Sequence, residues 1–116
     1  MKNLDYAFML EIYGSMLTEK QRNFMELYYW EDLSLGEISQ AEGLTRQAVR
    51  DSIKRSEHIL SEFEANLRIA EKIGKCKEIF GTIYELAGHC MAKGQMDCEN
   101  YAEKIKAAAK CGSEIF

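Results

Sequence analysis

At 116 residues, with 47% hydrophobic and 29% charged side chains, the chain has the length of one domain, and folding can bury roughly 65% of the surface its unfolded form exposes, which excludes wholesale disorder. It contains no proline, and a proline-free chain rich in Glu, Lys, Ala, Leu and Ile reads as all-α. The net charge of −4 divides into −5 over residues 1–45, +3 over 46–77 and −2 over 78–116, a balance that argues against high-affinity, non-specific DNA binding by a monomer.

Residues 4–17 place apolar side chains at Leu4, Ala7, Phe8, Ile12 and Met16 or Leu17, a helical period. Thr18 then opens a second helix with a capping box: its hydroxyl can accept from the Gln21 backbone N–H while the Gln21 side chain reaches back. Phe24, Leu27 and Tyr28 form the buried stripe of that helix, and Glu31 and Asp32 end it. The neighbouring Tyr28, Tyr29 and Trp30 are expected to pack in the core at its end rather than to stack on bases.

Ser34 repeats the capping device with Glu37. Over the short helix that follows, Leu35, Ile38 and Ala41 are expected to face inward. Gly43 can take the positive φ that a tight inter-helix turn demands. Leu44 plugs the turn, and Thr45 is the N-cap of the next helix. In that helix Val49, Ile53, Ser56, Leu60, Phe63, Leu67 and Ala70 alternate four- and three-residue steps, a heptad seam. A continuous helix over residues 46–72 is about 40 Å long, so its later turns need cover from the C-terminal residues or from a second chain.

The tail reads as a helical hairpin: a helix over 75–93, Gly94 as a stop, Asp97 as a cap and a return helix over 98–110. Gly74, Gly81 and Gly88 recur every seven residues. Interior glycine costs about 1 kcal/mol against alanine, so their register suggests a groove for close backbone approach. Cys76, Cys90, Cys98 and Cys111 include no C-x-x-C pair, and His89, Cys90 and Cys98 match no common zinc spacing. Cys76 falls in apolar register with Ile79, Phe80, Ile83 and Cys90, and Cys98 with Tyr101, Ala102 and Ile105. The thiols are therefore read as reduced, packed small hydrophobes, and no metal or cofactor is expected.

The segment 34–55 carries the functional signal. A helix-turn-helix needs a small residue where its helices cross, glycine in the turn and apolar residues on the inner face of the second helix. Ser39, Gly43, Leu44, Val49 and Ile53 supply these in order, although Ser39 brings a hydroxyl that must be satisfied. The candidate nucleic-acid-binding residues are Thr45, Arg46, Gln47, Arg50, Lys54 and Arg55. Arg46, Arg50 and Lys54 are spaced by four and share a face, with Arg55 beside it. Arginine pairs bidentately with guanine edges or phosphates, and glutamine with adenine. The bland alternative is a solvated basic face that pairs with Asp51 and Glu57 and binds nothing.

The ordered run LTEKQR (17–22), ELYYWED (26–32), SLGEI (34–38), RQAV (46–49) and IKR (53–55) resembles region 4 of bacterial sigma factors. It is similar more closely to the YlxM family, small bacterial proteins encoded beside signal-recognition-particle genes. The resemblance covers residues 4–67, and Arg50 stands where many relatives carry tyrosine. It implies a sigma-region-4-like helix-turn-helix over 1–60, followed by a helical extension over 61–116 for packing or dimerisation. The long helix would lead into the C-terminal hairpin.

Two functions follow from that resemblance. One is a non-enzymatic accessory or regulatory protein of the signal recognition particle pathway, whose partners are nucleic acid (DNA or the particle's RNA), the particle's GTPase, or both. The other is a sequence-specific DNA-binding transcriptional regulator acting as a homodimer. An enzyme is not expected: there is no Gly-rich phosphate loop, and neither His58 nor His89 has an evident catalytic partner. No apolar run nears the roughly 20 residues of a membrane span, and no basic segment precedes a secretory-type apolar run. The expected location is cytoplasmic, away from any membrane.

Overall fold

A computed structural model describes residue 2, residues 4–93 and residues 98–115. Among these residues there is no strand, and the fold is all-α. In chain order the helices are α1 (Leu4–Tyr13), α2 (Glu19–Met25), α3 (Leu35–Glu42), α4 (Arg46–Leu67), α5 (Ile69–Lys93) and α6 (Cys98–Ser113). A 3₁₀ turn at Gly14–Met16 follows α1, and a π turn at Glu26–Trp30 follows α2. The chain forms two compact units, Met1–Ala70 and Glu71–Phe116.

The core of the first unit is Leu10, Tyr13, Leu17, Phe24, Met25, Ile38, Val49, Ile53 and Leu60. Full burial of each such aliphatic or aromatic side chain contributes about 1.5–3 kcal/mol. Over residues 4–17 the buried line runs Leu10, Tyr13, Leu17, not through Ala7, Phe8 and Ile12, which are half-buried, or Met16, which is exposed; the Leu4 side chain lies outside the described residues. Helix α1 is apolar on nearly every side, so periodicity alone cannot choose its inner face.

Both expected capping boxes form. Thr18 Oγ1 accepts from the Gln21 N–H at 3.2 Å and Gln21 Oε1 from the Thr18 N–H at 3.0 Å. Ser34 Oγ accepts from the Glu37 N–H at 3.1 Å and Glu37 Oε1 from the Ser34 N–H at 3.2 Å. Helix α2 then widens into its π turn, where the Glu31 N–H reaches Glu26 O at 3.0 Å, and Asp32 adopts φ 56°. Lys2 secures this end. Its ammonium donates to Tyr28 O (2.6 Å), Leu33 O (2.9 Å) and Asp32 Oδ1 (2.9 Å), a cation placed on a helix C-terminus.

The seam of α4 is buried through Val49, Ile53, Ser56 and Leu60 and half-buried at Phe63. The Ser56 hydroxyl donates to Ser52 O at 3.0 Å and so buries no unmet donor. The helix does not run on to residue 72. It stops at Leu67, which is exposed, because Arg68 turns left-handed at φ 55°. Side chains meet the backbone groups freed there: the Ile69 N–H donates to the Tyr13 hydroxyl (3.2 Å) and the Ala70 N–H to Glu64 Oε1 (2.9 Å).

The second unit is the helical hairpin. Ile79 lies under Gly112, and the His89 and Tyr101 rings stack at 6.0 Å, so α5 and α6 run antiparallel. Its inner residues, among them Cys76, Ile79, Ile83, Ile105 and Ala108, are only half-buried. Phe80, placed by sequence in register with Cys76, is exposed, and so is Ala102. A Cβ at Gly74, Gly81 or Gly88 would meet nothing within 4 Å, so none of the described residues fills the expected groove. Gly94 and Asp97 lie outside the described residues, as does the Cys98 side chain.

Candidate nucleic-acid interface

Helices α3 and α4 form the helix-turn-helix. Gly43 takes φ 68°, and the Gly43 and Leu44 N–H groups both donate to Ser39 O. Ser39 is buried at the crossing, and its hydroxyl donates to Gly36 O at 2.8 Å, which satisfies the group that alanine would not bring. Ile38, Val49 and Ile53 close the apolar contact beneath. Ala41, expected inside, is exposed; the eight-residue α3 is too short for a third inward turn. Leu44 is only partly covered.

Thr45 sits at φ −77°, ψ 154°, and its Oγ1 accepts from the Ala48 N–H at 3.0 Å, so α4 starts where the sequence places it. No acidic residue stands in the first turn of α4. A helix N-terminus carries partial positive charge and favours anions by about 0.3–1 kcal/mol. Arg46, the first residue of α4, therefore stands where local electrostatics disfavours a cation.

All six predicted residues are exposed, but they do not share one face. The Arg46 guanidinium lies over Gly36, where an added Cβ would touch its Nε at 3.4 Å. Gln47 donates to Asp51 Oδ1 at 2.9 Å, one turn along. Lys54 lies 3.6 Å from Glu57 Oε2, and Glu57 also accepts from the Tyr29 hydroxyl at 2.7 Å. Burial and this carboxylate hold the Tyr29 phenol far above its ordinary range. Among the described residues neither Arg50 nor Arg55 has an ion-pair partner.

Arg55 lies toward another flank, lining an open groove of about 440 Å³ with Lys20, Gln21, Phe24, Leu44 and Asp51. Lys20 extends the basic surface from α4 onto the start of α2. Within LTEKQR the capping box is the evident local signal, and the place of Lys20 beside Arg55 depends on tertiary packing.

Other chemistry is sparse. His58 pairs with Glu62 at 3.2 Å on the exposed face of α4. Tyr28 and Tyr29 meet edge to face at 5.0 Å against the core, whereas Trp30 is partly exposed and donates to Ala7 O at 3.2 Å. Among the described residues no cluster of His, Cys, Asp and Glu could hold a metal ion, and no helix is long and apolar enough to cross a membrane.

Residues 1–106 match the family model UPF0122, described as "Putative helix-turn-helix protein, YlxM / p13 like". The UPF0122 protein YlxM of Bacillus subtilis is 44% identical over 103 residues, 89% of each chain. The chain belongs to the UPF0122 family. Two further members, from Shouchella clausii and Desulforamulus reducens, are 51% identical over 71 residues and 52% identical over 65. Those matches span 61% and 56% of this chain, and 65% and 56% of the respective relatives. The family description and the α3–α4 geometry agree on a helix-turn-helix protein.

Proposed function

We propose that this UPF0122 protein is a non-enzymatic, nucleic-acid-binding accessory or regulatory protein of the signal recognition particle pathway, working in the cytoplasm through the exposed face of α4. The observation that carries this reading is the row Arg46, Arg50 and Lys54, set on the capped N-terminal half of a helix-turn-helix second helix with no acid in its first turn. Arg46 at the positive end of the helix, with Arg50 one turn further along, suits a phosphate-bearing partner. The acidic remainder of the chain limits non-specific affinity, which favours a defined target over bulk nucleic acid. The resemblance to YlxM-type proteins, encoded beside signal-recognition-particle genes, is what suggests the particle's RNA, its GTPase, or both as partners. The test uses purified chain, the particle's RNA and its GTPase. Binding to the RNA, with altered GTP turnover in the assembled particle, supports the reading. Binding to neither component, with turnover unchanged, overturns it.

A second reading, a sequence-specific DNA-binding regulator, is favoured by Arg50. Its guanidinium is exposed and has no ion pair among the described residues, as bidentate pairing to a guanine edge requires. Enrichment of a sequence motif from a random duplex pool, lost in Arg50→Ala, distinguishes this reading from the first.

A further inference from the structure

Helix α5 carries a second apolar seam that its own hairpin does not cover. The positions 73, 77, 80, 84, 87 and 91 alternate steps of four and three, the spacing of a coiled-coil seam. Ile73, Phe80, Tyr84, Ala87 and Met91 make it apolar except at Lys77. Phe80 is 69% exposed, Tyr84 82% and Met91 87%. Along one side runs the row Gly74, Gly81 and Gly88, which leaves nothing there to hold another helix away. Along the other lies an apolar groove of about 410 Å³, formed by Cys76, Ile79, Phe80 and Ile83 with Ala109 and Gly112 of α6.

The seam has the symmetry of its own partner. Reversed about Thr82, it superimposes on itself: 73 falls on 91, 77 on 87 and 80 on 84. Two antiparallel copies of α5 would thus stack Phe80 on Tyr84 and Ile73 on Met91, each twice, as a two-fold interface requires. Lys77 would face the small Ala87. Parallel pairing would instead set Lys77 against Lys77, a like-charge contact inside an apolar seam. The area is also sufficient. Phe80, Tyr84 and Met91 expose roughly 500 Å² per copy, so two copies bury about 1,000 Å², the lower limit for a specific interface, before any neighbour is counted. A two-helix unit whose inner residues are only half-buried gains a core by this pairing, since two hairpins make a four-helix arrangement.

We infer that the chain is a homodimer through the Ile73–Met91 face of α5, paired antiparallel about Thr82. The inference is independent of what α4 binds. Sedimentation of the full chain over roughly 1–100 µM tests it. The expected mass is twice the 13.3 kDa of one chain. Phe80→Glu with Tyr84→Glu raises the dimer dissociation constant at least about a hundredfold, with helicity unchanged. Should that pair disturb folding, Met91→Glu at the end of the seam gives a smaller weakening in the same direction.

Orientation is read by cross-linking in a chain whose native cysteines are replaced by alanine. Gly81→Cys, next to the two-fold, is linked to its partner by a short bis-maleimide, and Gly74→Cys, roughly 24 Å from its counterpart along the helix, is not. A chain monomeric throughout the range overturns the inference, as does a dimer indifferent to the charged pair. Equal linking at both glycine positions overturns the antiparallel arrangement. So does a face that only a different protein covers, since the chain itself would then be monomeric.

Discussion

Tyr13 on α1 donates its phenolic hydrogen to Glu64 on α4 at 2.7 Å, and the pair caps the break between α4 and α5. The same tyrosine oxygen accepts the Ile69 N–H, while Glu64 Oε1 also accepts the Ala70 N–H. Residues fifty positions apart therefore decide where the long helix ends. Burial first, then the Glu64 carboxylate, holds the Tyr13 phenol above its ordinary pKa, so the hydroxyl stays protonated and available as a donor.

Tyr13→Phe keeps the ring in the core but deletes the donor to Glu64 and the acceptor for Ile69. Loss of such partly buried partners costs about 1–3 kcal/mol. Urea unfolding should show a midpoint lowered accordingly. An unchanged midpoint would mean that the break at Arg68 is held by packing alone.

Left-handed backbone gives two opposite expectations. Gly43→Ala puts a Cβ at φ 68°, and Arg68→Gly removes one at φ 55°. A side chain in that region costs about 1–2 kcal/mol. The first substitution should lower stability by about 1 kcal/mol and the second raise it by up to the same amount. Denaturant titration of the two variants side by side checks the signs, and equal signs would contradict the geometry.

Raised tyrosine pKa values make stability depend on alkaline pH. Tyr29, and to a lesser extent Tyr13, ionise in the folded chain only above their unfolded value of 10.0. The unfolded state therefore releases protons first as pH rises, and stability, complete below that value, declines above it. Thermal unfolding between pH 8 and pH 11 should show a flat region followed by a fall. In Tyr29→Phe the fall should be shallower. A fall of the same depth in that variant would assign it to other groups.

The helix-turn-helix was legible in sequence because its signals are local. Two capping boxes, one turn glycine and a cap threonine each act within four residues, and all form as read. What local signals could not show was set by distant partners. The inner face of α1 is chosen by which residues α4 offers it, since the helix itself is apolar all round. The end of α4 rests on Tyr13, reaching from the opposite end of the first unit. Lys2 reaching over to Tyr28 O and Leu33 O is likewise a contact across some thirty residues that no periodicity announces. At the candidate interface the basic row can be read from the sequence, but not that the Arg46 guanidinium lies over Gly36, or that Lys20 shares a groove with Arg55.

Fluorescence anisotropy against salt measures the proposed binding of nucleic acid by the basic face of α4. The probes are labelled signal recognition particle RNA and a labelled mixed-sequence DNA duplex, each titrated with wild type, Arg50→Ala and Lys54→Ala between roughly 50 and 200 mM salt. The account predicts binding to at least one probe, weakened about tenfold by each substitution. The log–log salt slope should fall by about 1 for each phosphate contact removed. Binding that is unchanged in both variants, or no binding of either probe at the lowest salt, would contradict it.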